Sequence, residues 1–183
     1  MAGSSRFRIR GRRIRFIWLL VALLAAFVVF LEVVVDFGGQ AQGPAPNPRT
    51  ISFPENDDRL VQAQVLAVID GDTIEVELEG PAPVRYYGSD APERGDACAA
   101  EATQRNRQLV ETKTVFLLPD ARDKDEGGRL LRYVFTEEGL LLDALLISEG
   151  LATAWREDGT YQGELVNIEQ SAAANGVGCL WSH

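Results

Sequence analysis

The sequence predicts an α+β domain, a small and partly open five-stranded barrel carrying three helices, placed behind one N-terminal hydrophobic helix. Three observations lead there. Strand-like and helix-like segments follow the order strand, strand, strand, helix, strand, strand, helix, helix, which suits a barrel better than a doubly wound parallel sheet. A long apolar run opens the chain behind a purely basic flank. Between that run and the barrel lies a Gly, Pro, Ala and Gln stretch with neither helical nor strand periodicity.

The N-terminal element comes first. Arg6, Arg8, Arg10, Arg12, Arg13 and Arg15 precede an uncharged run from Phe16 to Leu31, extended by Val33 to Val35 after Glu32. About twenty residues at the helical rise span roughly 30 Å, the thickness of a hydrocarbon core. The expected organisation is a basic cytoplasmic segment over 1–15, a transmembrane anchor over 16–36, a tether over 37–58 and a barrel domain over 59–183. Arginines retained on the cytoplasmic side send the domain to the extracytoplasmic face, periplasmic or extracellular. A cleaved signal peptide is the competing reading, with Gly39-Gln40-Ala41 as its weak cleavage site.

Within the domain, Leu60 to Ile69 is β-rich and Asp70-Gly71 is a hairpin-turn dipeptide. Ile74, Val76 and Leu78 alternate with Glu75, Glu77 and Glu79, the pattern of a half-buried strand with an acidic outer face. Gly80-Pro81 marks the next turn, and Val84 to Tyr87 a third strand. Ala99 to Lys113 reads as a helix with Ala102, Leu109 and Val110 inward. Thr114 to Leu118 and Leu130 to Phe135 are two further strands, separated by a polar loop from Pro119 to Gly128. Helices over Leu140 to Glu149 and Glu164 to Ala174 end at Gly150 and Asn175-Gly176.

Composition limits the chemistry. The only histidine is His183, so histidine-based zinc sites, triads and general bases are not the expected machinery. The net charge of −9 hides an asymmetry: residues 1–36 carry six Arg against Glu32 and Asp36, +4, and the rest carries 12 basic and 25 acidic residues, −13. Such a surface has no general affinity for nucleic acid, so a polyanionic substrate must be gripped locally. Cys98 and Cys179 allow one intramolecular pairing, which would close a loop of about 80 residues worth ~4 kcal/mol in the chain-entropy model. Two unpaired thiols are the alternative.

Carboxylates and arginines remain. Asp72 follows the first hairpin turn, and Asp90 and Glu93 flank Pro92 in a loop at a strand end. Arg85 lies in the strand leading into that loop, and Arg129 follows Gly127-Gly128 at the start of the last strand. Hard cations take carboxylate and carbonyl oxygens, and guanidinium forks match phosphate oxygens. Each residue alone has an ordinary explanation. Asp70 suits the turn, Arg85 could pair with Glu75 or Glu77, and Arg129 could neutralise the acidic loop from Asp123 to Glu126.

Together, the spaced segments resemble the staphylococcal nuclease (thermonuclease) family from about Leu60 to Trp181. The matching stretches are Val68-Ile69-Asp70-Gly71-Asp72-Thr73, Arg85 with Asp90-Ala91-Pro92-Glu93, Asp125 to Arg129, Asp143-Ala144-Leu145 to Gly150-Leu151-Ala152, and Leu180-Trp181-Ser182. The resemblance implies an OB-fold barrel with three helices and a calcium-dependent endonuclease acting on single-stranded DNA or RNA. By position, Asp72, Asp90 and the Ala91 carbonyl look like Ca2+ ligands, Glu93 like the base that acts on water, and Arg85 and Arg129 like the pair facing the phosphorus. Trp155 and Tyr161 fall near the family's substrate-wall aromatics. The family's common threonine is Ala91 here, and its nucleotide-binding Lys-Tyr pair reads as Glu126-Gly127. The expected protein is a monomeric, membrane-anchored nuclease without an evident protein partner. The alternative is a weakly active or inactive barrel that binds nucleic acid, polysaccharide or protein at the envelope.

Overall fold

The computed structural model describes residues 47–48, 51 and 53–182. The expected anchor and most of the tether lie outside the described residues, among which no helix is long and apolar enough to cross a membrane.

The domain is built on β1 (Val61–Val68), β2 (Thr73–Glu77), β3 (Pro81–Tyr86), β5 (Thr114–Lys124) and β6 (Leu130–Thr136), which close into a barrel in the order β1-β2-β3-β6-β5. A second, two-stranded sheet joins β4 (Ser89–Asp90) to β7 (Thr153–Ala154). Four helices complete it: α1 (Ala99–Val110), α2 (Leu142–Ser148), α3 (Gln162–Ala174) and the short α4 (Gly178–Trp181). The α+β barrel class and its three longer helices match the expectation, and the barrel is closed rather than partly open.

Closure depends on the length of β1. Its first half pairs with β5 (Val61↔Leu117) and its second with β2 (Val68↔Ile74). The register against β2 shifts between Val65 and Ala67, the kind of bulge that bends a strand around a corner. Val65, Ile74, Val76, Val84, Val115, Leu117 and Val134 are buried inside, and Leu142, Leu146 and Ile147 of α2 with Leu165 and Ile168 of α3 extend the same core. Removing these side chains from water is the main stabilising term.

Three boundaries differ from the sequence reading by three residues or more. β3 begins at Pro81 rather than Val84, because β6 joins it only from Val84 and the open side of Pro81 to Pro83 needs no N–H donor. β5 runs on to Lys124 through the segment read as a loop, and its register with β6 jumps from Pro119↔Arg132 to Lys124↔Leu130. The first helix stops at Val110, where Thr112 takes a positive φ and the Lys113 ammonium donates to the Gln108 and Leu109 carbonyls.

Candidate active site

The β1–β2 hairpin delivers Asp72. Ile69 and Asp70 both donate their N–H to the Thr73 carbonyl, and the Asp70 carboxylate accepts the Asp72 N–H at 3.2 Å, so Asp70 acts as a turn cap. Gly71 is required for room rather than for an unusual φ: a Cβ there would lie 2.6 Å from the Ala91 Cβ and 2.9 Å from the Ala102 Cβ. From α1, Asn106 holds the same turn, its amide donating to the Asp70 carbonyl at 3.0 Å while its oxygen accepts the Tyr86 hydroxyl at 2.7 Å.

Asp72 is 1% exposed. Its Oδ2 accepts the Ala91 N–H at 2.6 Å and lies 3.1 Å from Arg85 Nη2. Burial pushes this carboxyl up to about 7, against the opposing pull of Arg85 and of the Ala91 N–H. Asp90, half exposed, binds the same Nη2 of Arg85. One guanidinium therefore bridges two carboxylates from different elements, and the partners suggested for it on β2, Glu75 and Glu77, are not used. Burial works against the charge of Arg85, but Asp72 and Asp90 outweigh it and hold the group above its ordinary value.

The β4–β7 sheet fixes Asp90, an element the sequence did not reveal because two-residue strands carry no periodicity. Asp90 pairs with Thr153, whose hydroxyl donates to the Asp90 carbonyl at 3.3 Å. The corner before it is held by Asp143 at the start of α2, which accepts the Gly88 N–H at 2.8 Å and the Ser89 hydroxyl at 2.9 Å. Gly88 is needed there, since a Cβ would fall 2.4 Å from the Leu165 side chain.

Parallel pairing of β3 with β6, Val84↔Leu130 and Arg85↔Leu131, brings Arg129 to the same mouth as Arg85. Both line a pocket of about 160 Å³. Arg129 Nε bonds Asp125 at 2.6 Å across the turn closed by Gly128, so the neutralising role allowed for Arg129 is real and coexists with its place at the mouth. Glu93 lies two residues beyond Ala91 in the same loop. Its side chain is exposed and makes no ion pair or hydrogen bond to the cluster among the described residues.

Trp155 lines the pocket and Tyr161 does not. Tyr161 instead packs edge-on against Tyr133, with centroids 4.7 Å apart, and against Phe135. The sequence reading missed Arg122, whose guanidinium sits 5.0 Å from the Tyr87 ring and 5.2 Å from the Trp155 ring and pairs with Asp158 at 2.7 Å. It lay in the segment read as a loop. Cys98 and Cys179 are bonded, tying the residue before α1 to α4.

No cluster of three or more His, Cys, Asp and Glu side chains forms a cation cage among the described residues. The donors nevertheless suit a hard cation: Asp72 and Asp90 converge on a point that already attracts a positive group, and a carbonyl and water would complete the shell.

The family model described as "Staphylococcal nuclease homologue" matches residues 83–183. Protein ParB of Escherichia coli is 33% identical over 132 residues, covering 67% of this chain and 73% of that protein. Endonuclease YncB of Bacillus subtilis is 37% identical over 106 residues, covering 54% of this chain and half (50%) of that protein. Thermonuclease of Staphylococcus hyicus is 31% identical over 118 residues, covering 60% of this chain and 69% of that protein.

Proposed function

The chain belongs to the staphylococcal nuclease homologue family, and from that premise we propose that it is a calcium-dependent phosphodiesterase cutting single-stranded DNA or RNA at the Arg85–Arg129 mouth. The observation that carries the reading is the convergence of Asp72, Arg85 and Asp90 beside a pocket that Arg129 also lines. Nuclease activity in general accords with the endonuclease and thermonuclease relatives.

In this reading Asp72, Asp90 and the Ala91 carbonyl hold calcium, which when bound supplies positive charge against the phosphate. Arg85 and Arg129 present planar forks to the equatorial oxygens and the leaving oxygen, where negative charge grows. Glu93, unpaired and at the loop edge, takes the proton of the attacking water. Arg85 must then share its Nη2 between the carboxylates and the phosphate, and Arg129 must keep its remaining nitrogens free of Asp125.

Incubating the purified chain with single-stranded DNA and with RNA, in calcium or in chelator, tests this directly. Cleavage is expected only with calcium, and undiminished cleavage in chelator contradicts the calcium assignment. Strand binding without cleavage under either condition favours the binding-module reading, to which Glu126-Gly127 and the carboxylate-held arginines lend weight.

Localisation is part of the same proposal. Residues 16–36 anchor the chain and place the domain on the extracytoplasmic side, which accords with a bonded Cys98–Cys179 pair. Protease added to cells stripped of any outer membrane should digest the domain, and protection of it until the inner membrane is lysed would refute this topology.

A further inference from the structure

Nine arginines lie among the described residues, and seven of them form ion pairs with aspartates or glutamates. The two that form none, Arg94 and Arg107, line one cleft. Within residues 37–183, which carry a net charge of −13, two guanidinium groups without an ion pair in one place stand out as an uncommitted site for anions.

The cleft has a volume of about 440 Å³, the size of a small-ligand site. It runs between the β1–β2 turn, the loop that follows Glu93 and one face of α1. Arg94 comes from the residue after Glu93, and Arg107 from α1 two turns beyond Ala99 and Ala100 in its wall. Both arginines are exposed. Gly95 has a φ of +103° and nothing within 4 Å of where a Cβ would stand, leaving the backbone open to a ligand. Asp70 and Asp96 also line the cleft, two carboxylates against two guanidinium groups, which leaves it neutral within an acidic domain, and the Asp70 carboxylate is engaged by the Asp72 N–H. It shares no lining residue with the pocket between Arg85 and Arg129.

We propose that Arg94 and Arg107 form a second phosphate-binding subsite, holding the backbone of a nucleic-acid strand as it continues past the cutting site on the Glu93 side. This rests on the phosphodiesterase reading, because a strand cut beside Glu93 must continue in some direction and Arg94 is the next residue. No aromatic side chain lines the cleft, so no base stacks there. The subsite therefore grips phosphates without reading sequence and favours long strands over short ones.

The test measures binding of a labelled oligothymidylate of about twelve nucleotides, and of the dinucleotide, to the full chain in calcium at several salt concentrations, with cleavage followed in parallel. Relative to wild type, the double variant Arg94→Gln, Arg107→Gln should bind the longer strand roughly tenfold more weakly at low salt, with a smaller loss for the dinucleotide. Its slope of log affinity against log salt should fall by about 1.4, two phosphates at ~0.7 each. Arg94→Lys with Arg107→Lys should recover most of the slope. Equal affinity and equal slope for wild type and the glutamine variant overturn the subsite, and if wild type still cleaves, the nuclease reading survives. Binding that depends on both arginines without cleavage supports the subsite and removes the nuclease reading. Neither binding nor cleavage by wild type overturns both.

Discussion

Asp72 and Asp143 are both aspartates taken out of water, and they differ in what meets them. Asp72 faces a guanidinium and an N–H at the mouth of the barrel. Asp143 is wholly buried, satisfies Gly88 and Ser89 with Oδ1, and leaves Oδ2 without a partner. Burial pushes its carboxyl up to about 6, with the Ser89 hydroxyl, the Gly88 N–H and Arg85 pulling the other way. A raised carboxyl binds protons more tightly in the folded state, so its contribution to stability is full below the unfolded value near 4 and is lost as pH rises through about 6. The loss is roughly 3 kcal/mol at the upper end. Thermal unfolding followed from pH 4 to 7 should show this decline flattened in Asp143→Asn, and an identical profile in the variant would count against it. From the sequence, Asp143 was visible only as part of a family stretch, since nothing in its neighbours announces a buried carboxylate. Arg122 was hidden for a related reason: Asp120, Arg122 and Lys124 make a strand look like a polar loop.

At the scale of elements, most of the barrel was legible because its strands alternate and its turns carry Gly, Pro and Asp. What was not legible is the part that tertiary neighbours decide. β3 could start on prolines only because β6 arrives late, and β4 and β7 exist only because they pair with each other. Gly71 belongs to this group. The turn dipeptide predicted a hairpin, but the glycine is needed because Ala91 and Ala102 close over it. Gly71→Ala should therefore destabilise by about 1–3 kcal/mol and lower cleavage as well, because the loop displaced is the one that carries Asp90 and Glu93. Denaturant unfolding beside an activity assay checks both, and a neutral variant would refute the packing argument. The Cys98–Cys179 bond closes 81 residues of sequence and pins α4 beside the entry to α1. Its removal, by reductant or by Cys98→Ser with Cys179→Ser, should cost ~4 kcal/mol and lower the melting temperature by on the order of 10 °C. An unchanged melting temperature would show that the helices hold that end unaided.

For the whole molecule, the dominant fact is charge. Twelve basic residues against 25 acidic over residues 37–183 oppose a polyanion everywhere except where guanidinium groups are gathered. Arg85, Arg122 and Arg129 line one pocket, and Arg94 and Arg107 line another. Substrate affinity should thus be low without divalent cation and should rise steeply with it, more than screening by an equal ionic strength of sodium chloride produces. Titrating strand binding with each salt distinguishes the two. The family resemblance made the residue set legible, yet the bridging of Asp72 and Asp90 by one Arg85 nitrogen could not be read from spacing. That contact is a property of the closed barrel, where β3 runs between the hairpin and the β4 corner.

In the proposed function Asp72, Arg85, Asp90, Glu93 and Arg129 act as one hydrolytic site. Its most direct test is the single-turnover rate of cleavage of a short single-stranded DNA, at saturating calcium, for wild type beside Glu93→Gln. The rate in the variant should be lowered about 100-fold or more, with strand affinity preserved. Equal rates for the two proteins would contradict it.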